Sequence, residues 1–280
     1  MKYYFISDVH GQYNKMVKAL QEAHFDATED TLVSLGDLFD RGPDSKKVLE
    51  YVMSCPNRIL LWGNHDARLK AILLNEPSNS YDVSNGVPET LQSFCNLPKK
   101  PAISWGLQVF KSDSQYQNVR ELLWKYFDEC HWCAEFSDLI AVHAWIPCVM
   151  DFERYGFQKI PIYYYYSYWR EADKEMWYDT SWANTAEIIK STAYPEKDMI
   201  VGHWHAWRIA HANGQPRYKQ TEYTMWARGI VDQFVCNCDS YTYKASNGRQ
   251  VTLIDGCSNL PSGQVNVYVK ETEEIPILIC

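Results

Sequence analysis

The sequence predicts an α/β fold built around a largely parallel sheet. Its first third repeats one pattern three times: a short apolar stretch, a polar loop containing glycine, and a segment whose apolar residues recur at helical spacing. The chain has 280 residues, of which 46% are hydrophobic and 22% charged. A chain of this length buries about three quarters of its surface on folding. No segment has the composition of a linker or disordered tail, so we expect one compact domain over residues 1–280.

Three strands and three helices alternate in the first third. The apolar stretches cover residues 2–7, 31–35 and 57–62, and a helical pattern follows each of them. This alternation is typical of parallel sheets, in which a helix connects one strand to the next. In the first unit the helical spacing i, i+3, i+4, i+7 is occupied by Tyr13, Met16, Val17 and Leu20.

The remaining elements follow from weaker patterns. Residues 81–112 are rich in Asn, Ser, Pro and Gly, which indicates surface loops. A helix is predicted over about 115–130, followed by a strand pair over 132–136 and 139–142. The later elements are, in order, an aromatic-rich insert at about 145–182, a helix over 185–191, a strand over 199–201, and C-terminal strands at about 251–270 that alternate like antiparallel strands around a turn at 261–263.

Composition and charge exclude several classes of protein. The formal charge is −8 and Lys and Arg form no cluster, so duplex nucleic acid is not an expected partner. No apolar run is long enough to cross a bilayer, and Asp8 interrupts what would be the apolar core of a signal peptide; we therefore expect a cytoplasmic protein. The nine scattered cysteines favour free thiols over a disulfide framework. The pairs Cys130-x-x-Cys133 and Cys236-x-Cys238 are interpreted as structural thiols.

Most of the side chains capable of chemistry directly follow apolar strands. Ligands of open α/β sheets bind at the carboxyl ends of the strands, so these side chains are expected to converge. Five of the eight histidines fall in such loops. The candidate site consists of Asp8, His10, Asp37, Asp40, Arg41, Asn64, His65, His143, His203 and His205.

This donor set favours a pair of divalent metal ions. Carboxylates, neutral imidazoles and one amide, without a thiolate, suit Mn²⁺, Fe or Zn²⁺. One carboxylate can bridge two cations about 3.5–4 Å apart, which is the geometry of two-metal hydrolysis. Two such ions, two aspartates and a bridging hydroxide leave a net charge of about +1, which attracts a phosphate. The sequence therefore predicts hydrolysis of a phosphoester by a metal-bound hydroxide, with no covalent protein nucleophile.

Three further side chains complete the predicted machinery. The planar fork of Arg41 binds phosphate oxygens bidentately, so Arg41 is predicted to be both catalytic and substrate-binding. His65, next to Asn64, is placed to protonate the leaving oxygen. Asp40 orients His65 and favours its charged form.

Five motifs, in this order along the chain, resemble those of the calcineurin-like metallophosphoesterases. The Asp-Arg-Gly signature is similar to that of the phosphoprotein phosphatase branch, which includes bacterial and phage serine/threonine phosphatases and symmetrical diadenosine tetraphosphate hydrolases. The resemblance implies a four-layer α/β/β/α sandwich with two mixed sheets. The motifs are Asp-x-His-Gly at 8–11, Gly-Asp-x-x-Asp-Arg-Gly at 36–42, Gly-Asn-His-Asp at 63–66, His-Ala at 143–144 and Gly-His-x-His at 202–205.

The resemblance also implies how the ligands divide between two metal ions, with Mn²⁺ preferred over Fe or Zn²⁺. Many relatives in this branch have Gly-His-Thr-Pro where this chain has Gly-His-Trp-His, so His205 is taken from the wider superfamily. The first metal would be held by Asp8, His10, Asp37 and His205, and the second by Asp37, Asn64, His143 and His203.

A second phosphate-binding arginine is not assigned by the motifs. Many relatives carry Arg just before the Asn-His pair or Glu after it, where this chain has Trp62 and Asp66. Arg170 is the predicted further substrate-binding residue, and Arg154 is another candidate.

The sequence leaves the substrate open because specificity lies in variable loops. The main prediction is a phosphomonoesterase similar to serine/threonine protein phosphatases. The first alternative is a hydrolase of dinucleoside polyphosphates or other nucleotides, and the second is a non-catalytic binding module. For the segment 163–182, core packing and a lid over the metals are both open; the lid predicts that rings such as Trp169 or Trp177 line the cleft.

Overall fold

The strands of the computed structural model form two mixed sheets and a separate hairpin. The structure describes residues 1–155, 158–189, 194–214 and 238–279, without the side chains of 152–161 and 186. The strands are β1 (Lys2–Ile6), β2 (Thr31–Ser34), β3 (Arg58–Leu61), β4 (Cys130–His131), β5 (Cys133–Glu135), β6 (Leu139–Val142), β7 (Cys148–Tyr155), β8 (Gln158–Tyr165), β9 (Asp198–Val201), β10 (Tyr241–Lys244), β11 (Gln250–Leu253), β12 (Tyr268–Glu271) and β13 (Ile277–Ile279).

The helices follow the predicted alternation in the first third, where one helix comes after each of β1, β2 and β3. The helices are α1 (Tyr13–Glu22), α2 (Ser45–Ser54), α3 (Asn64–Leu73), α4 (Ser80–Asn85), α5 (Val87–Phe94), α6 (Ile103–Ser112), α7 (Gln117–Glu129), α8 (Lys174–Ser181), α9 (Thr185–Ile188) and α10 (Ala206–Ala212).

Both sheets combine parallel and antiparallel strand pairs. The first has the order β12-β1-β2-β3-β4, in which only the β12–β1 pair is antiparallel. The second has the order β10-β11-β9-β6-β5-β13, in which β11, β9 and β6 run parallel. Strands β7 and β8 pair antiparallel as the hairpin. The predicted pair of mixed sheets is confirmed.

Side-chain alternation along the strands produces the four layers. Tyr3 and Phe5 of β1 pack edge-on against Phe136, on the second sheet's side. Their neighbour Ile6 belongs instead to the core formed with the helices. The apolar layer between the two sheets consists of Tyr3, Phe5, Val33, Leu35, Leu61, Ala134, Phe136, Leu139, Ala141, Ile200 and Ile254.

The prediction of surface loops over 81–112 is wrong. The segment contains α4, α5 and α6, and Leu91, Phe94 and Phe110 are buried in the helix-side core. Gly86, at φ +105°, ends α4 and lets α5 start at once. Two of the residues that suggested loops have helical roles here: Gly86 is the cap between α4 and α5, and Pro88 lies in the first turn of α5.

The C-terminal strands do not form the expected antiparallel pair. Strand β11 runs parallel to β9 in the second sheet, whereas β12 runs antiparallel to β1 in the first. A side-chain alternation pattern does not reveal a strand's partner or direction, which explains the error. The carboxyl end of β11 therefore lies at the same edge as those of β6 and β9.

Two further predictions concern membrane-spanning helices and cysteines. Among the described helices, none is long and apolar enough to cross a membrane. Among the described cysteines, Cys55, Cys95, Cys130, Cys133 and Cys148 are free thiols, and Cys130 and Cys133 are buried. Cys236 and Cys280 lie outside the described residues.

Candidate active site

The loops after β1, β2, β3, β6, β9 and β11 meet where the two sheets present their carboxyl ends. Glycines allow this close approach: a Cβ on Gly36 would lie 2.1 Å from the backbone nitrogen of Gly63, and one on Gly202 would lie 1.9 Å from Ser7 Oγ. Larger residues at these positions would push the loops apart. The convergence predicted from the sequence is present.

The backbone of these loops adopts conformations that are uncommon outside glycine. Positive φ angles in non-glycine residues cost energy and cluster at functional sites. Six predicted site residues have them: Asp8 (52°), His10 (46°), Asp37 (55°), Asp40 (70°), Arg41 (64°) and His203 (61°).

Asp37 lies at the centre of the site. Its Oδ2 atom is 3.5 Å from His143 Nε2, 3.7 Å from His10 Nε2 and 3.9 Å from His65 Nε2. These separations exceed hydrogen-bond length, but they match the spacing of donors around a cation with ligand bonds of about 2.0–2.2 Å. Asp37 Oδ1 accepts a hydrogen bond from the His65 backbone at 2.9 Å, which fixes the carboxylate.

A second group of donors surrounds the amide oxygen of Asn64. Its Oδ1 lies 2.8 Å from His143 Nε2 and 2.9 Å from His203 Nδ1. His143 Nδ1 donates to the Leu35 carbonyl at 2.9 Å, which orients the ring so that Nε2 faces the site. Asp37, His143 and His203 offer ligand atoms within 4.8 Å of one another.

Asp8 and His10 form the other side of the site. Asp8 Oδ2 accepts from Ser7 Oγ at 2.6 Å and from the His203 backbone at 2.8 Å, and its Oδ1 is 3.9 Å from His10 Nε2. His10 Nδ1 donates to the Phe39 carbonyl at 2.8 Å. The other ring nitrogen of His10, Nε2, therefore faces Asp8 and Asp37.

Asp66, which follows the Asn-His pair, positions the loop after β2, which carries Asp37. Its carboxylate accepts from the backbone of Asp37 at 2.7 Å and of Leu38 at 3.2 Å, and from Tyr126 Oη at 3.1 Å. Its buried position and backbone partners make it a support for Asp37.

His65 and Asp40 form a buried hydrogen-bonded pair. His65 Nδ1 lies 2.8 Å from Asp40 Oδ2, and Thr90 Oγ1 donates to Asp40 Oδ1 at 2.7 Å. The two terminal nitrogens of Arg41 lie 2.7 Å from His10 Nε2 and 3.0 Å from His65 Nε2. The structure thus brings together Asp40, Arg41 and His65. Thr90 was missed because it comes from α5, inside the segment interpreted as loops.

The ionisable groups of the site have pKa values shifted in opposite directions. Burial raises the pKa of Asp8 to about 7, and the charge of Asp255 adds to this effect. Burial also tends to raise the pKa of Asp37, but the facing imidazoles hold it well below its ordinary value. Burial tends to lower the pKa of His143, yet the Asp37 charge raises it to about 9; burial and the His143 charge lower the pKa of His203 to about 3. A cation that replaces the protons on these side chains therefore stabilises the cluster.

Arg170 does not join the predicted site. Its Nε donates to Glu135 Oε2 at 2.7 Å, and its guanidinium lies 4.3 Å from the centre of the Trp169 ring. Glu135 pairs with Ile140, near the start of β6 rather than its site end. The guanidinium of Arg170, which was expected to bind phosphate, is therefore paired with the carboxylate of Glu135. The side chain of Arg154, the other candidate, lies outside the described residues.

In the described part of the aromatic segment, Trp182 is the residue whose ring stacks on a predicted site residue. Trp169 and Trp177 are fully buried and pack against each other, and Trp177 stacks on Trp132, so the expectation that they line the cleft is wrong. Trp182, at the end of α8, is 38% exposed and stacks on His65 at a centroid distance of 6.3 Å and an interplanar angle of 27°.

His205 lies beside a carboxylate that the sequence analysis did not include. His205 Nε2 is 3.7 Å from Asp255 Oδ2, and Asp255 follows β11. Asp255 also follows an apolar strand, the same pattern that identified the other site residues. It was missed because β11 was assigned to an antiparallel pair, whose ends would not meet this edge.

A family model matches most of the chain, including the predicted site residues. The model described as calcineurin-like phosphoesterase matches residues 1–225, and the chain belongs to this family. The carboxylate, imidazole and amide donors of the site fit the paired divalent ions that the resemblance implied.

Two named relatives are similar to part of this chain. A symmetrical bis(5'-nucleosyl)-tetraphosphatase of Photorhabdus laumondii is 38% identical over 111 residues, which are 38% of this chain and 40% of the relative. The Proteus mirabilis protein of the same name is 35% identical over 108 residues, 37% of this chain and 40% of the relative. The match thus spans less than half of each relative's length. Among solved structures, a metallophosphoesterase from Sphaerobacter thermophilus aligns with a TM-score of 0.44 at 16% identity, over 98% of this chain and 90% of that chain.

Proposed function

We propose that this protein is a metal-dependent phosphoester hydrolase that cleaves nucleotide polyphosphates such as diadenosine tetraphosphate. The observation that carries the proposal is the position of Asp37 Oδ2, which lies 3.5 Å from His143 Nε2 and 3.7 Å from His10 Nε2. A carboxylate in this position could be shared by two cations, one held together with His10 and the other together with His143. Two divalent ions, with Mn²⁺ preferred, would supply Lewis acidity and an activated water when bound.

The side chains of the site would have three roles: holding the cations, binding the phosphate and protonating the leaving group. Asp8, His10 and Asp37 would hold one cation, and Asp37, Asn64, His143 and His203 the other. Arg41 reaches over the centre from between His10 and His65, where its fork can bind the non-bridging phosphate oxygens. His65 would protonate the leaving oxygen, since Asp40 favours its charged form.

Two observations favour a nucleotide over a phosphoprotein. The matched relatives are named as symmetrical bis(5'-nucleosyl)-tetraphosphatases. Trp182 places a partly exposed ring beside His65, at the position where the leaving group departs, and nucleobases stack well on aromatic rings. A phosphoprotein substrate, similar to those of serine/threonine phosphatases, is the second candidate because the same phosphoryl chemistry serves both.

A substrate panel tests the proposal. Purified protein with Mn²⁺ would be assayed on diadenosine tetraphosphate, phosphoserine peptides and para-nitrophenyl phosphate. We expect the highest kcat/KM on diadenosine tetraphosphate, with cleavage in the middle of the chain to two ADP. Efficient hydrolysis of the peptides without cleavage of the dinucleotide would assign the protein to the second candidate class. Full activity after complete removal of metal would refute the metal-dependent chemistry.

A further inference from the structure

Asp255 is a buried acid at the site edge, beyond the 1–225 segment that the family model matches. Only 3% of its surface is exposed. Among the described residues, the only basic side chain within 4 Å of its carboxylate is that of His205. An ionised carboxylate is costly to bury without a counter-charge, so this position needs a cationic partner.

The spacing between Asp255 and His205 identifies the kind of partner. Their facing atoms are 3.7 Å apart, too far for a hydrogen bond. His10 and Asp37, which would share a cation, have the same 3.7 Å spacing. The orienting pair of His65 and Asp40 is in contrast only 2.8 Å apart. Two donors on one cation, each with a bond of about 2.0–2.2 Å, lie about 3–4 Å apart, so Asp255 and His205 are spaced as ligands of one ion.

Backbone contacts fix this pair against the first metal's loop. Ser258 Oγ donates to the carbonyls of Asp8 at 2.5 Å and Val9 at 3.0 Å, which ties the loop after β11 to the loop after β1. The Ala206 backbone donates to the Asp255 carbonyl at 3.0 Å, which ties His205 to the same place. We infer that Asp255 is a ligand of the cation held by Asp8 and His10, and that it shares this ion with His205.

Cys257 is assigned to the core and not to the metal. Its sulfur lies within 4.8 Å of the ligand atoms of Asp255 and His205, but the residue is buried in an apolar cluster with Trp207 and Cys238. The backbone of Cys257 donates to Asp255 Oδ1 at 2.8 Å, which leaves the other carboxylate oxygen, Oδ2, for the ion.

This assignment makes the two metal positions unequal in charge. The first would have three carboxylates, from Asp8, Asp37 and Asp255, whereas the second would have only the shared Asp37. The first position therefore binds a hard cation more tightly, and an Asp255 variant loses that advantage. The inference rests on the metal centre of the proposed function and not on its substrate.

Metal binding to the purified chain tests the inference separately from catalysis. Asp255→Asn keeps the shape of the side chain and its acceptor for Cys257, and removes the charge. Glu135→Gln is the matched control, since Glu135 is an equally buried acid near the opposite end of β6. Equilibrium dialysis against Mn²⁺ with elemental analysis gives the number and affinity of bound ions. We expect wild-type and Glu135→Gln protein to bind two ions, and Asp255→Asn to bind one of them at least 10-fold more weakly.

Two further variants and one control measurement keep the test decisive. His205→Gln should weaken the same ion as Asp255→Asn does, and Cys257→Ser should leave both ions in place. In EDTA, Asp255→Asn should melt no lower than wild type, while Mn²⁺ should raise its melting temperature less. Unchanged affinity for both ions in Asp255→Asn would overturn the inference, as would an equal loss of metal in Cys257→Ser. Either result would leave the substrate panel unaffected.

Discussion

Replacing Asp40 by Asn tests how the negative charge of Asp40 affects His65, the predicted general acid. Asn retains one acceptor oxygen, which can face His65 Nδ1, and its NH2 group can donate to Thr90 Oγ1, so the contacts at 2.8 and 2.7 Å can persist. Burial lowers the pKa of His65, but the charges of Asp37 and Asp40 more than offset this and raise it. The substitution therefore lowers the pKa of His65 and reduces the protonated fraction at neutral and alkaline pH.

The magnitude follows from replacing a hydrogen bond to a charged acceptor by one to a neutral acceptor. The first contributes about 1.5–3 kcal/mol and the second about 0.5–1.5 kcal/mol, so the difference of about 1–1.5 kcal/mol corresponds to about 5- to 13-fold in rate. We expect kcat of Asp40→Asn to fall by this factor on a substrate whose leaving oxygen needs a proton. The alkaline limb of its pH–rate profile should move to lower pH, because His65 loses its proton earlier.

Steady-state kinetics from pH 5 to 9, with metal content measured in parallel, provide the assay. The metal content should stay at the wild-type value, since Asp40 is not among the predicted ligands. An unchanged alkaline limb would show that Asp40 does not tune His65. A loss of metal matching the loss of rate would instead make Asp40 a support of the metal centre.

Three other substitutions probe separate parts of the molecule. Asp37→Ala removes the shared ligand, so metal content should fall for both ions and activity by more than about 100-fold; two retained ions would contradict the bridging role. Trp182→Ala should raise KM for diadenosine tetraphosphate about 5- to 100-fold, the effect of losing one base stack, and leave phosphoserine unaffected; equal effects on both would refute a base platform. Glu135→Gln should destabilise the fold by about 1–3 kcal/mol at pH 7, measured by urea unfolding.

The Glu135 effect has a defined pH dependence. Burial tends to raise the pKa of Glu135, but its hydrogen bonds with Arg170 and Lys197 lower it overall. A lowered pKa contributes stability above the unfolded-state value of about 4.3, and that stability is lost as the pH falls further. The difference between wild type and Glu135→Gln should therefore shrink between pH 7 and pH 3. A constant difference would show that packing, not charge, is responsible.

Two local signals in the sequence coincide at the residues that the structure brings together around Asp37. An apolar strand places its next residues at the sheet edge, and short polar residues such as Asp8, Asp37 and Asn64 recur at that point after successive strands. Both signals are read from neighbouring residues. No knowledge of distant contacts is required, so the arrangement around Asp37 could be predicted.

Three of the failures concern partners that are distant in the sequence. Arg170 has the chemistry of a phosphate clamp, and only the fold reveals that Glu135 occupies it. Thr90 contacts Asp40 from a helix that was interpreted as a loop. Asp255 fits the local pattern, but the direction of β11 depends on its partner β9 and cannot be read from alternation.

The C-terminal strands also determine when the site forms during synthesis. Lys2 of β1 pairs with Glu271 of β12, and the bond from Ser258 to the Asp8 carbonyl joins residues 250 positions apart. At translation rates of about 5–20 residues per second, the loop of Asp8 and His10 waits on the order of 10–50 s for these partners. Until then Asp8 lacks the loop after β11 that buries it. A nascent chain can form the first three strands and their helices, but the complete site cannot form until β11 and β12 have also left the ribosome.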